Sequence, residues 1–265
     1  MRKIALLMCF LGSPATAHEF WLEPTAYQVP AEGMLTANIV NGQDFEGVIL
    51  PYVPQRFAHF MAFAGGKSGK VEGRTGDTPA LNMAAFDNGL NVVAYQARNS
   101  TVTYETWEKF ESFLKHKDLG DQLANHQTRG LPLENFKEVY SRYSKTLIGV
   151  GDGAGADRRV GLETEIVALT NPYTDNLSSG MRVQVFYRTD PRANTQVEVF
   201  EKAPNDSVRI FFVRTDANGI ATVPVKSGHE YMLDAVVLRE PTGQLADDTR
   251  AAYETLWANM TFAAP

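Results

Sequence analysis

Residues 215–225 read TDANGIATVPV. Asn218-Gly219 is the pair that a tight turn with positive φ asks for, and the alternation after it is that of a strand with one buried face. Working outward, LETEIVAL (162–169), MRVQVFYR (181–188), QVEVFEK (196–202), VRIFFVRT (208–215) and YMLDAVVLRE (231–240) are further short apolar runs joined by polar turns. Strands at such regular spacing predict an antiparallel sandwich of immunoglobulin-like or transthyretin-like character over residues 160–265. The D-x-N-G start resembles that of a calcium loop, but the later ligands and closing Glu are missing.

Residues 18–103 are also strand-like. MLTANIV (34–40) and LNVVAYQA (90–97) alternate between NGQDFEG (41–47), AGGKSG (64–69) and DNG (87–89), all turn signals. From 104 to 148 the period changes. Trp107, Phe110 and Leu114 fall at helical spacing, and Phe136, Tyr140, Tyr143 and Leu147 do so again, predicting two helices with a break at GLP (130–132). GVGDGAGADRRVG (149–161) is glycine-rich, yet no helix pattern follows and Asp152 and Asp157 would repel phosphate, so residues 149–159 read as a linker. The expectation is a mainly β protein, two antiparallel β-sandwich domains with a helical segment between them.

The first 17 residues carry Arg2 and Lys3, then the apolar IALLMCFLG, then SPATA with small residues at Ala15 and Ala17. This is signal-peptide grammar, and the run falls short of the roughly 20 residues a membrane span needs. Cleavage after Ala17 makes His18 the first residue and removes Cys9, the only cysteine, so disulfides and thiolate metal sites are excluded from the mature chain. A periplasmic protein without membrane insertion after cleavage is expected. Loss of Arg2 and Lys3 deepens the formal charge beyond −6, which argues against nucleic acid as a partner.

Cleavage would give His18 both an imidazole and a free α-amine, two nitrogen donors able to chelate one ion of the nickel, cobalt, copper or zinc class. Glu19 and Glu23 are near enough in sequence to add oxygen, although strand alternation turns Glu19 away from His18. Of the other histidines, His59 and His229 are the candidate distant partners, while His116 and His126 lie in the helical segment, where a solvated position is the default. No two histidines form a local zinc signature. No G-x-S-x-G elbow or nucleotide fingerprint is present, so an enzyme is not indicated.

HEFWLEP (18–24), VYSRYSKTL (139–147), GLETEIVALTNPY (161–173), TDANG (215–219) and ETLWANMTF (254–262) together resemble an exported domain-of-unknown-function family. Its members are often described as a periplasmic component of a cobalt or nickel ABC-type transport system. The resemblance implies a periplasmic β-sandwich protein that handles a divalent transition metal, with His18 as ligand and a membrane transporter as partner. Two alternatives stand beside it: a non-catalytic interaction or structural module of the cell envelope, and, more remotely, an N-terminal-histidine copper oxidase.

Overall fold

The computed structural model describes residues 19–265; the expected leader and His18 lie outside them. The chain opens with strands β1 (Glu19–Pro24), β2 (Gln28–Val29), β3 (Met34–Gln43), β4 (Glu46–Leu50), β5 (Phe57–Ala64), β6 (Lys67–Lys70), β7 (Leu81–Ala84), β8 (Gly89–Ala97) and β9 (Ser100–Thr106). Helices α1 (Trp107–His116) and α2 (Leu123–Thr128) lead to β10 (Glu134–Val150). Then come β11 (Thr164–Ala168), β12 (Met181–Tyr187), β13 (Asp190–Pro191), β14 (Gln196–Lys202), β15 (Val208–Arg214), β16 (Ile220–Val223), β17 (His229–Arg239), α3 (Gly243–Thr249) and β18 (Tyr253–Ala264). Strand makes up 51% and helix 11% of the described residues, so the protein is mainly β as its sequence indicates.

A large sheet of order β15-β14-β17-β18-β10-β8-β5-β6 forms the middle layer. Its spine is β10, which runs antiparallel to β9 and β8 and parallel to β18, with Tyr140 opposite Thr255 and Leu147 opposite Val92. One face of this sheet is covered by β1, β3, β4 and β7 and by α1 and α2. Leu22, Ile39 and Leu81 meet Val93, Tyr95 and Ile148 there, and Trp21 and Phe45 meet Phe200 and Met232. The other face is covered by β11, β12, β13 and β16, where Ile166, Val183 and Val223 meet Val199, Leu233, Met260 and Phe262. Both sandwiches therefore share the middle sheet.

Two expectations need correction. The second predicted helix does not form, because residues 134–150 are the longest strand. Phe136, Tyr140, Tyr143 and Leu147 fit a helical count, but from Tyr143 to Val150 every residue is buried. A strand covered on both faces loses its period of two, and the β-branched and aromatic content of VYSRYSKTLIGV then decides. α1 does bury the expected Trp107, Phe110 and Leu114.

The second correction concerns 149–159, which is no free linker. The Asp157 side chain is fully buried, its carboxylate taking Lys145 Nζ at 2.8 and 2.9 Å and the N–H groups of Arg158 and Ala168. Asn171 Nδ2 donates to the carbonyls of Gly153 and Gly155. A buried ion pair whose remaining oxygens all find donors holds its segment in one geometry.

Turn chemistry worked as read. Asp44 and Phe45, both at positive φ, close the β3–β4 hairpin, Gly65-Gly66 closes β5–β6, and Gly219 (φ +74°) leads into β16.

Candidate functional site

Strand alternation places Glu198 of β14 and Asp234 of β17 opposite each other on the face that β1 and α1 cover. Lys117 follows the last turn of α1, where the helix dipole favours a cation. Its ammonium is buried, 2.6 Å from Glu198 Oε2, 2.9 Å from Asp234 Oδ2 and 3.8 Å from Glu19 Oε1, and lies 4.7 Å from the centre of the Trp257 ring. His116, half exposed, sets Nε2 2.9 Å from Glu198 Oε1. Three buried carboxylates thus converge on one buried ammonium at the first described residue of the chain.

The electrostatics divide them. Burial pushes the Glu19 carboxyl up to about 7 against the pull of Lys117, with Asp234 and Glu198 adding repulsion. Asp234 is raised, chiefly by burial. Glu198 is also raised by burial, but the hydrogen bonds and charges of His116 and Lys117 outweigh this and leave it below the usual range. His116 is raised by its bond to Glu198, and Lys117 is raised because three carboxylates overcome its desolvation. Glu19 Oε2 is buried with no hydrogen-bond partner. The cluster holds more acid than base, and burial favours the protonated form of Glu19, the residue next to His18 in the sequence.

Of the candidate site residues within the described range, only Glu19 enters this cluster. Glu23, half-buried, lies further along β1 and acts on Glu230 instead. His229 belongs to the opposite face of the middle sheet, since it differs in parity from Asp234 on β17. Its Nδ1 lies 2.9 Å from Glu201 Oε1 without hydrogen-bond alignment, and the same carboxylate takes Lys226 and Arg209. His59 is exposed on β5 beside Gln96. His126 corrects the solvated default: it is fully buried against Trp107, Phe136 and Tyr253, donating from Nε2 to the Pro132 carbonyl and accepting at Nδ1 from the Tyr253 hydroxyl. Among the described residues no three His, Cys, Asp or Glu side chains form a ready metal cage.

The carboxylates that sequence reasoning passed over had one local signal. Asp234 interrupts the apolar YMLDAVVL, and an acid inside such a run has to be buried with a partner. Nothing local pointed to Lys117, which reads as a solvated residue after a helix.

A family model described as a domain of unknown function, DUF4198, matches residues 15–239. The chain belongs to this family. No curated protein matches it. Among solved structures this DUF4198 protein is similar to the tetra-tandem repeat in the extending region of a large adhesion protein, at 11% identity and a TM-score of 0.21. That match covers 94% of this chain and 50% of the other, so the chain spans about half the length of that structure, and a likeness this weak carries no argument. Among the described residues no helix is long and apolar enough to cross a membrane.

Proposed function

We propose that this DUF4198 protein is an exported, periplasmic, non-enzymatic binder of a divalent transition-metal ion, nickel or cobalt, that serves uptake through a membrane transporter. The observation that carries the reading is the Glu19 carboxyl, which is buried, acid-surplus and orphaned at Oε2. A group in that state takes either a proton or a cation. The residues fit the ion: with residues 1–17 removed, the amine and imidazole of His18 would supply nitrogen and Glu19 oxygen, a donor set suited to borderline cations. Binding would release the Glu19 proton and that of the amine, so affinity should rise through neutral pH.

The test is calorimetric titration of the exported protein, its N-terminus verified by mass spectrometry, with nickel, cobalt, copper and zinc. A form with one residue added before His18 and Glu19→Gln are titrated in parallel. Binding that is lost in the extended form and weakened at least tenfold in Glu19→Gln is the expected result. Absence of any metal-dependent gain in thermal stability would overturn the reading, since a ligand specific to the folded state must stabilise it. Peroxide formation by the copper-loaded protein with a reductant would favour the copper oxidase instead.

A second reading, an interaction module, draws on β15. This edge strand leaves Ile210 (42%) and Phe212 (49%) exposed, and an apolar edge is a template for pairing with another chain. It predicts metal indifference.

A further inference from the structure

A cavity of about 390 Å³ opens beside the α1–α2 connection and the end of β17, within the size range of small-molecule sites. Its charged lining is mostly neutralised. Arg239 is held by Glu254 in a bidentate pair and by the Tyr187 hydroxyl, Asp118 is paired with Arg214, and Glu240 lies 3.5 Å from Arg129. Arg192 is different. Its Nη2 donates to the Val236 carbonyl at 2.7 Å, while Nη1 is buried with no partner. Asp234 attracts it only through space and is bonded to Lys117. Burial lowers this guanidinium to about 10, which leaves it charged at neutral pH. A buried charged donor without a partner costs more than almost any other polar defect.

The backbone beneath Arg192 is built to hold it there. Arg192 N–H donates to the Val185 carbonyl, and Thr215 Oγ1 donates to the Arg192 carbonyl at 2.6 Å while accepting from Thr195 N–H. Asp216 Oδ1 caps the turn by accepting from Asn218 N–H and Ile220 N–H. A Cβ on Gly219 would stand 2.9 Å from Arg192 N, so only glycine lets the turn approach. TDANG is therefore the socket of Arg192, which a turn joining two strands does not require.

We infer that this cavity binds a small organic carboxylate carrying one net negative charge, anchored on the Arg192 guanidinium. The guanidinium fork matches a carboxylate. The other charged side chains of the lining are already paired, so a multiply charged anion such as phosphate meets no second cation, and the amides of Gln122 and Asn125 can serve the ligand's neutral polar groups.

The experiment is thermal unfolding and calorimetry of the metal-free protein in EDTA at constant ionic strength, with acetate, lactate, glutamate, succinate and inorganic phosphate. A rise in melting temperature with at least one monoanionic carboxylate is expected, abolished in Arg192→Gln and weakened at least tenfold in Asn125→Trp, which fills the cavity from an exposed position. If Arg192→Gln does not fold, Asn125→Trp decides. No shift with any carboxylate, a shift that survives Asn125→Trp, or an equal response to phosphate overturns the inference. Because metal is excluded, failure here and failure at His18 are read separately.

Discussion

Lys117 and Glu198, 81 positions apart in the chain, meet at 2.6 Å inside the protein, and Asp234 completes the group at 2.9 Å from the same ammonium. Both carboxylates draw on that lysine for charge compensation, and Glu198 shares it with His116. Lys117→Met should therefore destabilise the fold by about 3–5 kcal/mol at neutral pH, the cost of stranding buried charge. Urea unfolding at pH 5 should show a smaller loss, because Glu19, raised to about 7, then carries its proton.

Glu19 makes stability depend on pH in an unusual direction for an acid. Unfolded, the carboxyl titrates near 4.5, and folded it titrates at about 7. Over that window the folded state keeps a proton that the unfolded state has lost. The contribution is therefore present below 4.5 and is lost as pH rises through about 7, an effect of about 3 kcal/mol. Glu138, raised to about 7 chiefly by burial and bonded to Thr255, adds a second slope of the same sign. Chemical denaturation at pH 5 and pH 8 should show each of Glu19→Gln and Glu138→Gln with a flatter profile than the wild type. Parallel profiles would refute the assignment.

His126 is a core residue with both nitrogens engaged. His126→Leu strands the Pro132 carbonyl and the Tyr253 hydroxyl and should cost about 1–3 kcal/mol. Metal titration of the variant should match that of the wild type.

Gly219→Ala forces a side chain into positive φ and against Arg192 N. A loss of about 1–3 kcal/mol is expected. Carboxylate affinity should fall with it, whereas Ala221→Gly, in the strand just beyond, should lower stability with affinity unchanged.

The sequence by itself determined whatever depends on neighbours a few residues apart. The strands of 160–265, the Asn218-Gly219 turn and the apolar stripe of α1 were legible because turn chemistry and one-sided burial leave a local pattern. Only the tertiary structure decided β10, whose double-sided burial erases the period that separates strand from helix. It alone turned 149–159 into a pinned segment, since Asp157 needs Lys145 and the Ala168 N–H to be worth burying. The candidate site was legible at Glu19 and no further. Its remaining members come from the end of a helix and from two strands paired across the middle sheet, and an ion pair between distant segments writes no period into either one.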